Sequence, residues 1–419
     1  MVGEAGRRPK RLNESIMTCR CVIAFVMAGG EGVRLRPFTA DCPKPALPFG
    51  GGYRVVDFAL SNLYNSGVSR AHVLLQYQPH VLLQHLAENW GAVRSADGVF
   101  VRALAPETGA APGFRGTADA VARSLHVLDA VQPDLVAVFA ADHIYRMDVR
   151  QMAAFHREHD ADASVAAVPV PVACASAFGV IRADKDGRIR GFDEKPRRPE
   201  PMPGDARRAY ASMGNYLFRP AVLRAALAEA QAHGEHDFGR HVLPRLVASH
   251  RVFAYDFAQN HVPGVRTSEE PAYWRDVGTV DAYVEAHWDL LGPEPRFRLD
   301  NPQWPILCGD GPRVLGSLNG GSVVHSIVGP GVSFLGSALR HSVLQRGAHV
   351  EPGADIERCI VMDGARIARG VHLRDAIIGG GNTLRRAKRA QRADWSRSPA
   401  GMAIVPPRAL ENQPQALPA

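Results

Sequence analysis

Four segments near the C-terminal end repeat one template: Ile327-Val328-x-x-Gly331, Val343-Leu344-x-x-Gly347, Ile360-Val361-x-x-Gly364 and Ile377-Ile378-x-x-Gly381. Their starts lie 16, 17 and 17 residues apart. A second apolar column falls seven residues after each start (Phe334, Val350, Ile367, Leu384), and a third four residues before (Val323, Leu339, Ile356, Leu373). No single repeat can bury its apolar face alone, so the units must stack. Three inward columns per repeat, with glycine at a corner where positive φ is cheap, predict a parallel β-helix with three faces, in its left-handed form.

Upstream the period is different. From Cys21 to Leu291 short β-branched runs such as Val22–Val26, Ala71–Leu75 and Leu135–Ala140 alternate with amphipathic stretches such as Gln78–Asn89 and Thr117–Ala130. That alternation predicts an α/β domain with a doubly wound, mostly parallel sheet. The expected organisation is a flexible basic extension at 1–20, a catalytic α/β domain at 21–291 and a Pro-rich linker at 292–312. A β-helix at 313–390 and a tail at 391–419 complete it.

The formal charge of +7 and pI near 9.2 favour an anionic partner. Much of the excess lies in two short runs, Arg7-Arg8-Pro9-Lys10-Arg11 and Arg385-Arg386-Ala387-Lys388-Arg389. Short runs suit solvated ends or local anion sites, and no nucleic-acid groove is expected. Six cysteines (Cys19, Cys21, Cys42, Cys174, Cys308, Cys359) form no C-x-x-C pair, which predicts reduced thiols in a cytoplasmic protein. The apolar run Cys21–Ala28 is too short for a bilayer, so no membrane association is expected.

The chemistry-bearing residues follow the strands. Ala28-Gly29-Gly30-Glu31-Gly32-Val33-Arg34-Leu35 comes directly after the first strand, and its glycines let backbone N–H groups approach a phosphate. It is neither a Walker loop nor a dinucleotide fingerprint, since Leu35 stands where the third glycine belongs. A plain strand-to-helix turn would read the same way. Arg34, and Lys44 in the stiff Pro43-Lys44-Pro45, add positive charge. Asp142 follows the strand Leu135–Ala140, where ligands of open α/β sheets bind. Asp276 lies in Tyr273-Trp274-Arg275-Asp276-Val277-Gly278, and two such carboxylates brought together could hold Mg²⁺. Each of these alone also reads as an ordinary capping or turn residue. Lys195 stands in Phe192-Asp193-Glu194-Lys195-Pro196, and Ala211–Tyr216 offers a hydroxyl and close backbone approach suited to sugar hydroxyls. Arg115-Gly116-Thr117-Ala118-Asp119-Ala120 opens a helix whose N-terminus could take an anion or a base edge. The kinase-like string Asp237-Phe238-Gly239 has no partner motifs and reads as a structural or sugar-site loop.

Together these strings, with Asp57-Phe58-Ala59-Leu60-Ser61-Asn62, resemble the glucose-1-phosphate adenylyltransferases of bacterial glycogen synthesis over roughly residues 21 to 410. The resemblance implies ATP and glucose 1-phosphate as substrates, Mg²⁺ as cofactor, small-molecule effectors and a homotetramer. It places Arg34, Asp142, Lys195 and Asp276 in catalysis, with Asp142 and Asp276 on the metal. Ala28, Gly29, Gly30, Gly32, Lys44, Gln76, Arg115, Gly116 and Thr117 would bind the nucleotide, Gln76 on its adenine side. Gly179, Glu194, Lys195, Ser212, Tyr216 and Trp274 would bind glucose 1-phosphate. A UDP- or dTDP-glucose enzyme, or a non-catalytic subunit, are the alternatives. This chain departs from the usual pattern at Glu31, Val33 and Phe114. It also departs at Asp41 and Cys42, where relatives often carry the basic residues linked to activation, so control by a sugar bisphosphate is not expected.

Overall fold

The computed structural model describes residues 22–106, 113–308, 313–314, 317–318, 320–385 and 395–408. The expected N-terminal extension and most of the second basic run lie outside them.

Val22–Met27 is apolar throughout, and its strand is buried in the middle of the first sheet. It pairs in parallel with Arg70–Leu74 on one side and Leu135–Ala140 on the other, and Arg70–Leu74 pairs in parallel with Val101–Leu104. Helices Val55–Asn65, Pro79–Trp90 and Thr117–Ser124 lie in the three connections. Past Leu135–Ala140 the sheet continues antiparallel through Arg208–Phe218, Gly179–Ala183 and Ile189–Glu194. The connection between the last two is short: Gly187, at φ 82°, closes that turn, where a helical crossover would not fit. Apolar clusters cover both faces, one centred on Val26, Leu60 and Phe139, the other on Phe25, Val138 and Phe218.

The carboxyl ends of Val22–Met27 and Leu135–Ala140 therefore open on one edge, carrying the glycine loop and Asp142. Separately, His143–Tyr145 pairs antiparallel with Trp274–Asp276, and the register sets Asp276 opposite His143. This short ladder joins residues far apart in sequence.

The repeats stack as a three-sided parallel β-helix. All three expected columns appear in register: Ile327 with Val343, Ile360 and Ile377; Phe334 with Val350, Ile367 and Leu384; Val323 with Leu339, Ile356 and Leu373. The corner glycines Gly331, Gly347, Gly364 and Gly381 have φ of 69°, 65°, 63° and 71°. One expectation is corrected. The column Ile327, Val343, Ile360, Ile377 points out of the coil and packs with Phe49, Tyr283 and Leu290 of the first domain, while its neighbours Val328, Leu344, Val361 and Ile378 fill the interior. Successive strand residues face opposite ways, so a wholly apolar pair marks a strand covered on both sides.

Two boundaries also shift. Ala403–Val405, placed in the tail, adds another rung beside His372–Ile378. The described part of the expected linker is held against the first domain: Trp304 Nε1 donates to Asn62 Oδ1 at 3.2 Å and Leu307 N to Ser61 Oγ at 2.8 Å. At the domain contact Gly51 N donates to Gln345 Oε1 at 2.8 Å, and Gly50 N to His287 Nε2 at 3.3 Å. Gly329 must stay a glycine here, because a Cβ would lie 2.0 Å from Gly51 O.

Candidate active site

A cleft of about 570 Å³ opens at the carboxyl edge of the first sheet. All nine residues expected at the nucleotide line it (Ala28, Gly29, Gly30, Gly32, Lys44, Gln76, Arg115, Gly116 and Thr117), as do Arg34 and Asp142.

The glycine loop is shaped by what lies behind it. Gly32 has φ 64°, and a Cβ there would approach Lys44 Cβ and Thr39 Cγ2 to 3.1 Å. Thr39 Oγ1 donates to Gly32 O at 2.8 Å and holds the turn. A Cβ at Gly29 would come within 3.1 Å of Gln76 Cβ, so Gln76 packs directly against the loop. Glu31 does not line the cleft; it is exposed, with Arg36 Nη2 4.0 Å from its Oε2.

At the floor Lys44, 6% exposed, places its ammonium between two carboxylates. Its Nζ donates to Asp142 Oδ2 at 2.9 Å and to Asp276 Oδ1 at 2.7 Å. Burial alone would lower the lysine pKa, but Asp142 and Asp276 outweigh it and raise it above the ordinary value. Burial would likewise raise the Asp142 carboxyl, yet His143 and Lys44 hold it below the usual carboxylate range. Arg34 leans on the same spot: a Cβ at Gly278 would lie 2.8 Å from Asp276 Oδ2 and 2.9 Å from Arg34 Nη2. Asn215, not singled out from the sequence, braces this end of the sheet by accepting from Ala140 N at 3.3 Å and donating to Tyr145 OH at 3.0 Å. Nothing in the residue pattern marked Lys44 as the bridge between the carboxylates; only its setting between two prolines hinted at a fixed position.

The residues expected at glucose 1-phosphate do not line this cleft. Gly179 and Gly239 approach Glu194, since a Cβ on either would lie 3.1 Å or 2.8 Å from Glu194 Oε2. Trp274 packs between His143 and Phe178, at 4.8 and 5.4 Å between ring centres, and its buried Nε1 has no partner among the described residues. Ser212 Oγ accepts from Gly214 N at 3.3 Å. Tyr216 is 6% exposed, with its ring against Phe218 and Phe238. Lys195 stands apart from the cleft, half-exposed, with its Nζ 3.3 Å from Glu194 Oε1.

The expected site for an anion or a base edge at the helix start of Arg115–Ala120 is narrowed. Ala118 N donates to His236 O at 2.8 Å and Asp119 N to the same oxygen at 3.4 Å, so these amides are occupied. Thr117 Oγ1 also receives Phe238 N at 3.1 Å. The loop 236–239 thus braces the helix, while Arg115, Gly116 and Thr117 still line the cleft.

The same architecture recurs in known proteins. Residues 23–292 match the nucleotidyl transferase family, and residues 316–389 match a GlmU-like C-terminal hexapeptide family, the left-handed β-helix. The glucose-1-phosphate adenylyltransferase of Thermodesulfovibrio yellowstonii is 43% identical over 87% of this chain and 89% of its own. That of Corynebacterium jeikeium is 44% identical over 85% and 89%, and that of Mycolicibacterium smegmatis 44% over 83% and 87%. The chain belongs to the glucose-1-phosphate adenylyltransferase family. The cleft brings together the glycine loop, Lys44 and Asp142, and Asp276 reaches the same ammonium from the short ladder with His143. Among the described residues no helix is long and apolar enough to cross a membrane, and Cys42, Cys174, Cys308 and Cys359 are free thiols.

Proposed function

We propose that the chain transfers the adenylyl group of ATP to α-D-glucose 1-phosphate, giving ADP-glucose and pyrophosphate for α-glucan synthesis. The observation that carries the reading is the convergence of Arg34, Lys44, Asp142 and Asp276 at the end of a glycine-lined cleft.

The sugar phosphate, with a second pKa near 6 like other phosphate monoesters, is largely a dianion at neutral pH and needs no general base. One of its oxygens forms a bond to the α-phosphorus in line. The bond from that phosphorus to the β-phosphate bridging oxygen breaks, and pyrophosphate leaves with the electron pair. No nucleophilic side chain intervenes. The loop from Ala28 to Gly32 seats the phosphates through backbone N–H groups, and Arg34 and Lys44 meet the charge that develops on them. Gln76 faces the base. On the sugar side Glu194, Ser212 and the free Trp274 Nε1 offer hydrogen bonds to hydroxyls, with Gly179 and Tyr216 shaping the wall. Lys195 would turn from Glu194 to grip the sugar phosphate.

The donor set at the floor suits a hard cation: the oxygens of Asp142 and Asp276 already surround a positive charge, that of Lys44. Mg²⁺ held by these two carboxylates would supply further charge neutralisation on the triphosphate. Free thiols support a cytoplasmic setting, and the β-helix, whose outward column is already used against the first domain, is read as an assembly and regulatory element of a homotetramer.

Asp142→Ala tests the reading. Turnover is expected to fall by about a hundredfold or more, with an unchanged circular dichroism spectrum. Near-normal turnover would remove Asp142 from the mechanism.

A further inference from the structure

The strand Leu135–Ala140 gives way to Asp142 at the floor of the cleft, and a fully buried asparagine holds that exit. The strand Arg208–Phe218 runs antiparallel beside it, from Phe218 opposite Val136 to Asn215 opposite Phe139. There this second strand bulges. On its other side, against Ala163–Pro171, Tyr216 faces Val165 and Ser212 faces Ala167, so Met213, Gly214 and Asn215 share the place of Ala166. Gly214 takes φ 71°, and a Cβ on it would lie 3.0 Å from Ala140 Cβ. A bulge of this kind locally disrupts the ladder and re-aims a side chain.

The side chain re-aimed here is that of Asn215. Ala140 N, the next amide along the strand, donates to Asn215 Oδ1 at 3.3 Å in place of a backbone carbonyl. Asn215 Nδ2 donates to Tyr145 OH at 3.0 Å, so one amide group ties together two residues that flank Asp142. Asn62 grips the same segment by its backbone, donating from Nδ2 to Tyr145 O at 3.1 Å and accepting from Met147 N at 3.0 Å. Trp274 pairs with Tyr145 in the ladder that sets Asp276 opposite His143. The two asparagines thus make four hydrogen bonds to residues 140–147, two of them from Asn215.

Asn215 itself does not line the cleft. A side chain needed only to fill this space could be leucine, of similar volume and with nothing to pair. An apolar group here would leave Ala140 N and Tyr145 OH unmet inside the protein, which is costly.

We infer, on the role proposed for Asp142, that Asn215 is a positioning residue for adenylyl transfer. It sets where Asp142 stands at the end of the sheet, and it does so from the strand that also carries Ser212 and Tyr216.

Asn215→Leu, Asp142→Ala and the double variant of the full chain are the test, with initial rates of ADP-glucose synthesis for each. Misplacing Asp142 should cost Asn215→Leu about 10–100-fold in kcat, while KM for both substrates stays within about threefold. On Asp142→Ala the same change should cost less than about threefold, because no carboxylate is left to position. A second readout needs no turnover: the Mg²⁺ concentration at the midpoint of the rise in melting temperature should increase about tenfold in Asn215→Leu. Should Asn215→Leu not fold, Tyr145→Phe removes only the hydroxyl and should lower kcat about fivefold, again only while Asp142 is present. Near-normal turnover of Asp142→Ala would overturn the role of Asp142 and this inference with it. A crippled Asp142→Ala beside a wild-type kcat in Asn215→Leu, losses that multiply in full in the double variant, or an unchanged Mg²⁺ midpoint would overturn the inference alone.

Discussion

Lys44 Nζ lies 2.7 Å from Asp276 Oδ1, although 232 residues separate the two in sequence. The same ammonium reaches Asp142 at 2.9 Å, so one buried lysine bridges both carboxylates that the mechanism assigns to the metal. Removing it should have two separable effects. Lys44→Met should lower turnover by about 10²–10³-fold, the usual loss for one charge contact on a developing anion. It should also leave Asp142 facing Asp276 without a cation, so that Mg²⁺ raises the melting temperature of the variant more than that of the wild type. Initial rates, and melting in EDTA against Mg²⁺, measure both. Equal stabilisation of the two proteins by Mg²⁺ would show that the ammonium and the metal do not share this site.

A second prediction concerns control. Arg54 is bound to Asp363 of the β-helix at 2.6 Å, and Cys42 lies beside this pair, its thiol pushed up to about 11 by burial against the opposing pull of Arg54. Asp41 next to it is exposed and negative. An anionic effector meets an acid and an occupied arginine here. Fructose 1,6-bisphosphate should therefore change ADP-glucose synthesis by less than the roughly fivefold at which allosteric coupling ordinarily begins. Activation curves with and without the bisphosphate measure this. Strong activation would mean that Asp41 and Cys42 do not govern the response.

The outcome at the β-helix shows what the sequence made legible. Register needs only period, so the three columns and their corner glycines could be read directly. Which face each column takes is a different question. Ile327 and Val328 are equally apolar, and only the packing of Ile327 with Phe49, Tyr283 and Leu290 shows that one of them serves a neighbouring domain. In the cleft, residue types and positions at strand ends picked out the glycine loop, Arg34, Lys44, Asp142 and the Arg115–Thr117 turn, whereas Gln76 came only from the family resemblance. They did not reveal the His236 carbonyl that occupies the amides of Ala118 and Asp119, because that contact joins backbone atoms over a hundred residues apart. The Lys44 bridge was hidden for the same reason.

Three buried histidines set a pH limit. His72, His156 and His287 are each lowered to about 4 by burial, against 6.5 when unfolded. For His287 the tautomer is fixed by neighbours, with Nδ1 facing Tyr283 O at 2.8 Å and Nε2 receiving Gly50 N. Above pH 6.5 both states are neutral and nothing is lost. Between about 6.5 and 4 the unfolded chain binds protons that the folded chain refuses, so stability should drop as pH falls. The slope is up to about 1.4 kcal/mol per pH unit for each histidine. Urea unfolding at pH 7.5, 6 and 5 tests this; a flat profile would show that the three rings accept protons without unfolding.

The central claim is adenylyl transfer, and the nucleotide decides it. The purified chain with glucose 1-phosphate and Mg²⁺ should be given ATP, UTP or dTTP in turn, with pyrophosphate release followed and the sugar nucleotide identified. The account predicts ADP-glucose, with kcat/KM for ATP exceeding that for either other nucleotide by at least about tenfold. Equal or faster pyrophosphate release with UTP or dTTP, or no sugar nucleotide from any of them, would contradict it.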